Sequence, residues 1–426
     1  MAATRRRGVR SIRGALAAAC AAAGVGGVGG IGVDAAGATE VHSALLLYSE
    51  PRRVSAAEAV LEARHELKPG YLGNFKIVWD ALSGPSPNGA VPSRAAQTFT
   101  RPSGRGAYTT TAGETPLDDT FRDQRVAVSG GLTVPLDRLT KATAGLYGST
   151  EHDYTSLGAN VSLARDFDRR NTTVSLGASF SDDTVRPEGG RPAPLTPMTL
   201  PGDPRTNLAG DGSKRVTDLV AGVTQVVDRA TLVQINASLS RVSGYQSDPY
   251  KVVSVVSPET GAPQAQLFES RPDAREKRIL YGRLKRDFTP GIVDLSYRYM
   301  SDDWGIVSHT FDLRYRRDLA GERWLEPHLR FYRQGEADFY RRWLVQGDPL
   351  PEFASADHRL GAFDAWTAGL EYGCPVGEGQ RLNARVEYYW QVGDRHPAGA
   401  PGELAGLDLF PALDAWIVQV GYVLGL

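Results

Sequence analysis

The chain has 426 residues, which is enough for two or three soluble domains or for one large β-structure. Its 47 glycines and 17 tyrosines, against only 3 methionines, favour strands and turns over helices. The formal net charge is −1, so the composition lacks the strongly basic balance of a nucleic-acid-binding protein, and we expect no nucleic-acid partner.

The first 38 residues have the layout of an export signal. A basic region with five arginines precedes an uncharged stretch at 14–33, and Ala36-Gly37-Ala38 fits the small-x-small cleavage pattern. Inside this segment GVGGVG (24–29) has dinucleotide-binding spacing, but no strand precedes it and no helix-forming run follows it, so no cofactor is expected. We predict a signal peptide at 1–38 and one domain at 39–426.

Alternating apolar and polar residues recur through the rest of the chain in segments near the length of a tilted membrane strand, roughly ten residues. We count sixteen segments, with an error of about two, at 41–48, 55–67, 71–82, 123–135, 140–149, 155–166, 171–182, 215–227, 230–243, 277–287, 291–301, 305–317, 323–334, 358–373, 380–392 and 411–425. Backbone groups in lipid have no water to bond, and only a closed barrel leaves no sheet edge. The sequence therefore predicts an all-β fold, a single transmembrane antiparallel β-barrel of about 16 strands (roughly 14 to 18).

The lengths of the connections support this prediction. The long connections follow the third, seventh, ninth, thirteenth and fifteenth segments, all odd-numbered, at 83–122, 183–214, 244–276, 335–357 and 393–410. Tight links such as KPG (68–70) and TPG (289–291) follow even-numbered segments. Membrane barrels of bacteria place short turns on the periplasmic side and long loops on the extracellular side. We therefore expect both termini in the periplasm and five long extracellular loops.

The positions of the charges indicate which strand face meets lipid. Between Gly291 and Arg317 an apolar series, which includes Leu295 and Leu313, alternates with a charged series. A lipid-facing arginine at mid-membrane costs about 2–4 kcal/mol, so the charged series should face the lumen. The pore-lining candidates are Asp294, Arg298, Asp312, Arg314, Arg316, Glu326, His328, Arg330, Arg385 and Glu387. These charges could select ions, or could fill and brace the interior as pairs. His309 shares the apolar side and must lie near an interface or follow a bulge.

Two loop motifs carry further candidates. SDDWG places Asp302 and Asp303 in a hairpin where two carboxylates could bind a cation or act as acid and base, but a polar hairpin with Trp304 as an interface anchor is the favoured interpretation. The motifs DPYK, with Asp248 and Lys251, and ESRPDAREKR (269–278) could form a salt-bridged lid, although solvated loop charge is the simpler interpretation.

Motifs spread along the chain resemble one family. They are SPNGA (86–90), GETPLDDTFRD (113–123), YTSLGANVSLARDFDRRNTT (154–173), SDPYK (247–251), YRYMSDDWGI (297–306), EPHLRFYRQ (326–334), ASADHRLG (354–361) and DLFPALDA (408–415). Together they resemble a Gram-negative family known as domain of unknown function 3570. The resemblance implies an exported outer-membrane barrel that meets outer-membrane lipid and the barrel assembly machinery. It brings no established activity and no catalytic residues. Relatives associated with flavin-transferase and thioredoxin-like proteins hint at envelope redox partners.

Few patterns in the sequence point to catalysis. No C-x-x-C, H-E-x-x-H or phosphate-loop spacing occurs, so neither a metal nor an enzymatic activity is expected. After the predicted signal, Cys374 is the only cysteine, which excludes an intramolecular disulfide, and Pro375 beside it indicates a turn.

Three functions are compatible with this sequence. A barrel of sixteen strands normally encloses an aqueous lumen, which favours a channel for a small polar solute, with loop 83–122 as the constriction. A non-conducting scaffold for periplasmic or surface partner proteins is the alternative. A hydrolase would need Asp302, Asp303 and His358 to meet at the rim.

Overall fold

The computed structural model describes residues 39–120 and 122–425, so the predicted signal peptide lies outside the described residues. Sixteen antiparallel strands of 11 to 15 residues close into one barrel, and β16 pairs with β1. The strands are β1 (Thr39–Ser49), β2 (Ser55–Lys68), β3 (Tyr71–Ser83), β4 (Arg122–Pro135), β5 (Thr140–Thr150), β6 (Tyr154–Phe167), β7 (Thr172–Val185), β8 (Gly212–Val226), β9 (Thr231–Gly244), β10 (Ala274–Asp287), β11 (Gly291–Asp302), β12 (Val307–Leu319), β13 (Arg323–Gln334), β14 (Phe363–Gly377), β15 (Gln380–Gly393) and β16 (Leu413–Gly425). The predicted fold class is confirmed.

The outer face of the barrel is apolar because every second residue of each strand points outward. One outward row of directly paired leucines crosses four strands, and all four side chains are exposed: Leu284, Leu295, Leu313 and Leu329. Nearer the long-loop end, Trp366, Trp390 and Trp416 lie on the same face with Tyr388 packed between two of them. An apolar belt bordered by aromatic rings is the surface that a membrane-spanning barrel presents to lipid.

Short turns and long loops occupy opposite ends of the barrel. The turns after the even-numbered strands have two to four residues, as in 69–70 and 136–139. The five long loops follow β3, β7, β9, β13 and β15, which are the five positions that the sequence predicts.

One predicted strand was misplaced. The fourteenth segment was predicted at 358–373, but β14 begins at Phe363 because residues 358–360 form a 3-10 turn in which the Arg359 amide donates to the Asp357 side chain. Cys374 lies within β14 rather than in a turn, and the chain tolerates Pro375 there because the pairing with β15 is irregular beside it, with a register shift between Pro375 and Gly377.

The long loops form a folded cap, defined here as residues 84–120, 186–211, 245–273, 335–362 and 394–412. Its centre is a three-stranded sheet formed by Val252–Val256, Pro263–Phe268 and Trp343–Val345. One apolar cluster joins the first three loops around Phe99 and Val252, and another joins the first, third and fifth around Val256 and Leu404. Because these loops start from strands all around the barrel and meet one another, the cap bridges the mouth.

The helical content is small. Three 3-10 turns, at 168–170, 358–360 and 402–406, are the helical elements among the described residues. None of the helices that the structure describes is long and apolar enough to cross a membrane.

Candidate functional site: the lumen and its cap

The inner face of the barrel has two different walls. Strands β10–β13 and β15 carry long charged and aromatic side chains inward, whereas the inward residues of β5–β9 are mostly glycine, serine, threonine and asparagine. On β6, Asn160 and Ser162 point inward and are still exposed to solvent. On the opposite wall His328 is only 5 % exposed. The open space of the lumen therefore lies beside the small polar wall.

His328 is the centre of the charged wall. Its Nδ1 lies 2.8 Å from Glu387 Oε1 and its Nε2 lies 2.9 Å from Asp312 Oδ2. Asp312 also forms ion pairs with Arg330, whose Nε is 3.1 Å from Oδ2, and with Arg314, whose Nε is 3.5 Å from Oδ1. Residues on three strands, β12, β13 and β15, are therefore held in one network of paired charges, which stiffens this side of the barrel.

Most of the other predicted pore-lining residues also have charged or polar partners. Asp294 is paired with Arg283, and Arg314 Nη1 lies 3.4 Å from Glu326 Oε1. Arg385 donates to Gln419, and near the short-turn end Arg316 Nε lies 2.9 Å from Asp318 Oδ1. The sequence indicates the face on which these residues lie, but not that their charges are so largely neutralised.

Arg298 is the exception among these candidates. It is half-buried on the inward face of β11, where its register neighbours are Tyr281 on β10 and Thr310 on β12. Among the residues that the structure describes, it makes no ion pair and no hydrogen bond. It is therefore a cation without a counter-charge in a wall where the other candidates are paired.

The cap contains a second group of charges, the cap ion cluster, made of Asp248, Glu269, Arg271, Asp357 and Arg359. Arg271 Nη2 lies 2.9 Å from Asp357 Oδ2, and Arg359 Nη2 lies 3.1 Å from Asp248 Oδ2. Burial raises the pKa of Asp357, but Arg359 and Arg271 outweigh it and hold that pKa well below its ordinary value. Burial raises the pKa of Glu269, and there Arg271 does not compensate fully.

This cluster corrects the interpretation of the two charged loop motifs. Asp248 and Glu269 are ion-paired inside the cap, and Lys251 is buried and donates to the carbonyl of Pro87. Solvated loop charge was therefore the wrong interpretation for these residues, because Asp357 and Arg359, which complete the cluster, lie in a distant loop that the sequence does not place beside them. His358 follows Asp357 in the fourth long loop and is buried against Phe410, and this burial lowers the pKa of His358 to about 3.

The SDDWG hairpin is structural. Asp302 is bound by Arg275 and accepts the backbone amides of Trp304 and Ile306, and Asp303 accepts the amide of Glu276. Trp304 is 4 % exposed and packs edge-on against Phe339 of the cap, so its prediction as an interface anchor was wrong. A tryptophan at the rim of a barrel can contact either lipid or loop residues. Which of the two Trp304 contacts depends on how the cap folds, and this cannot be seen in the hairpin sequence.

His309 lies on the outer face, as its position in the alternation predicts. Its Nδ1 is 2.8 Å from the Tyr297 hydroxyl, and Tyr299 packs beside it, so it belongs to the outer aromatic region near the long loops. No bulge occurs in β12 where it pairs with β11.

Groups that could perform catalysis are not assembled at the predicted place. Asp302 and Asp303 have the partners given above, and His358 contacts Phe410 and Asp357 instead. Within the described residues, no cluster of three or more His, Cys, Asp or Glu could hold a metal, and no serine is hydrogen-bonded to a histidine.

Two features of the site were not predicted from the sequence. Lys277, which lies in a charged loop motif and begins the predicted strand at 277–287, was not a pore-lining candidate, but it points into the barrel from β10. The apolar residues of the cap, such as Val252 and Leu404, lie in loops without a regular period, so no pattern marked them as a core.

The closed sheet, the apolar belt and the polar interior define the protein as an outer-membrane β-barrel. A family model described as "Protein of unknown function (DUF3570)" matches residues 15–424, and the chain belongs to that family. No curated protein matches the chain.

Solved outer-membrane barrels are similar in outline. OccK2 (OpdF) of Pseudomonas aeruginosa is 11% identical over 91% of this chain and 98% of that chain, with a TM-score of 0.40. A bacterial polysaccharide outer membrane secretin is 9% identical over 92% and 100%, with a TM-score of 0.47. OccD3 (OpdP) of P. aeruginosa is 9% identical over 93% of each, with a TM-score of 0.43. Likeness at this level carries no inference about function.

Proposed function

We propose that this protein is a channel for a small polar solute in the outer membrane of a Gram-negative bacterium, and that the cap is its gate. In this proposal the cap faces outward, the termini lie in the periplasm, and the protein is not an enzyme. The short turns of two to four residues cannot cover a sixteen-stranded lumen, so the cap alone would control passage.

The small polar wall is the observation that carries the proposal. A barrel that serves only as a scaffold can fill its interior with bulky side chains, as small barrels do. Here the inward positions at Gly145, Gly158, Gly177 and Gly222 carry no side chain at all, and Asn160 and Ser162 remain exposed to solvent. A wall built of such residues leaves space for water and solute along the barrel.

The packed cap supports the alternative of a non-conducting scaffold for envelope partners. Its sheet has residues with no exposed surface, such as Val252, Val253 and Val256, and the cap ion cluster adds charge pairs between loops. If the cap never opens, the barrel would be open only at the short-turn end and could hold a periplasmic partner there.

Conductance with a matched pair of variants tests the proposal. Ser162→Trp places an indole in the lumen beside the small polar wall, whereas Val161→Trp places it on the lipid face of the same strand. We expect the refolded chain to conduct in a planar bilayer, Ser162→Trp to reduce the unit conductance, and Val161→Trp to leave it unchanged. A barrel with normal heat-modifiable folding that passes no current, even with residues 252–268 replaced by a short Gly-Ser linker, would reject the channel.

A further inference from the structure

The surroundings of Arg298 form a polar row on the inner wall of the barrel, just beneath the cap. Its inward row runs through Tyr281, Arg298, Thr310 and Tyr332 on β10, β11, β12 and β13, where each residue is paired with the next. One inward position nearer the cap, Met300 belongs to an apolar cluster with cap residues, and Gln334 donates to the carbonyls of Arg359 and Gly361. The row is therefore the layer of the lumen wall directly below the cap.

Positive charge is in excess around this row. Arg330, one position below Tyr332 on the same face, shares Asp312 with His328 and Arg314, so it brings no spare carboxylate to Arg298. Lys277, on the neighbouring strand, has no carboxylate within ion-pair distance among the described residues. The carboxylates that act on Lys277 are Asp302, which is bound by Arg275, and Asp218, which accepts the hydroxyl of Ser179.

A half-buried guanidinium without an acceptor is costly to desolvate, and an anion in the lumen removes that cost. The guanidinium offers donors in a planar fork that matches a carboxylate or a phosphate group. The hydroxyls of Tyr281 and Thr310 lie in the same row and can bond the hydroxyl groups of a solute. The Tyr332 hydroxyl donates to Gln334 Oε1 at 2.7 Å, so it can only accept from the solute.

We infer that Arg298, together with Tyr281, Thr310, Tyr332 and Lys277, forms a binding subsite for a small hydroxylated organic anion. Arg298 pairs with the carboxylate or phosphate group, the hydroxyls bind the rest of the solute, and Lys277 supplies a second positive charge. The inference rests on the proposed function, because the solute reaches this layer through the lumen, and it defines the chemical class of that solute.

Three matched ligands test the subsite. Glycerol, glycerate and glycerol 3-phosphate share a carbon skeleton and differ in charged group. We expect saturation-transfer NMR on the detergent-folded full barrel to show binding of both anions and none of glycerol. Arg298→Gln should weaken anion binding about tenfold or more, since hydrogen bonds to charged groups contribute roughly that factor. Lys277→Gln should weaken it less, and Arg298→Lys should restore part of it.

Arg316→Gln is the control, because it removes the same charge from the lumen where Asp318 already pairs with it. Equal losses in Arg298→Gln and Arg316→Gln would overturn the subsite in favour of the diffuse field of the lumen. Absence of anion binding by a correctly folded barrel would also overturn it. Anion binding by a barrel that passes no current would support the subsite and reject the channel, whereas current without anion binding would support the channel and reject the subsite.

Discussion

Phe410→Ala should loosen the cap. Phe410 is 2 % exposed, packs edge-on against His358 at a ring distance of 6.1 Å, and lies 6.3 Å from the ring of Phe363 at the start of β14. It thus joins the fifth long loop to the fourth and to the barrel wall. Truncation of a buried phenylalanine to alanine costs about 3–5 kcal/mol, because the transfer free energy and the packing around it are both lost.

This cost translates into a population of open cap. At about 1.4 kcal/mol for each factor of ten, a loss of about 3–5 kcal/mol raises the ratio of open to closed cap by roughly 100- to 4,000-fold. Cleavage by trypsin at the cap arginines follows that population when opening is fast relative to cleavage. We therefore expect faster proteolysis of the cap in Phe410→Ala and, if the cap is the gate, a higher open probability in a planar bilayer.

Leu350→Ala is the matched control, because Leu350 is a cap residue that is 55 % exposed and should lose little on truncation. If both variants are cleaved at the rate of the unchanged protein, the packing argument is refuted. If Phe410→Ala is cleaved faster but conducts no more than the unchanged protein, the cap is not the gate.

Two further predictions concern pH and the membrane face. Burial lowers the pKa of His358 to about 3, although Asp357 opposes this shift. Between about pH 6.5 and pH 3, His358 is therefore neutral in the closed cap but binds a proton when the cap detaches. The stability of the closed cap should be full above about pH 6.5 and should fall as the pH decreases toward 3. Amide hydrogen exchange of cap peptides, corrected for intrinsic rates, measures cap stability at pH 7.5 and 4.5. The loss of protection between these two pH values should be smaller in His358→Gln than in the unchanged protein, and an equal loss in both would contradict this account. Leu295→Arg should lower the free energy of unfolding of the barrel in lipid by about 2–4 kcal/mol, because Leu295 lies on the outer face near the middle of β11. Urea titration of the barrel in vesicles measures this loss, with Ser296→Arg on the inner face as the control that should lose less.

The barrel could be predicted from the sequence because its main signals are local. Residues alternate along a strand with a period of two, so the outward position of Leu295 and the inward position of Asp312 follow from their neighbours alone. The lengths of the connections are likewise visible along the chain, and all five long loops were found where the sequence placed them.

The cap and the use of the lumen charges depend on contacts between distant segments. Trp304 and His358 are buried by loops far away in sequence, and Asp248 pairs with an arginine more than a hundred residues later. The pairing of charges in the lumen also depends on distant contacts. The alternation of apolar and charged residues predicts that Arg298 and Arg314 share the inner face, but it does not predict that, among the described residues, only Arg314 of these two has a carboxylate partner. The sequence by itself determined the strands, their lipid-facing side and the placement of the long loops, because these follow from local periodicity. Only the tertiary structure decided which charges are neutralised, because that depends on which strands and loops meet across the barrel.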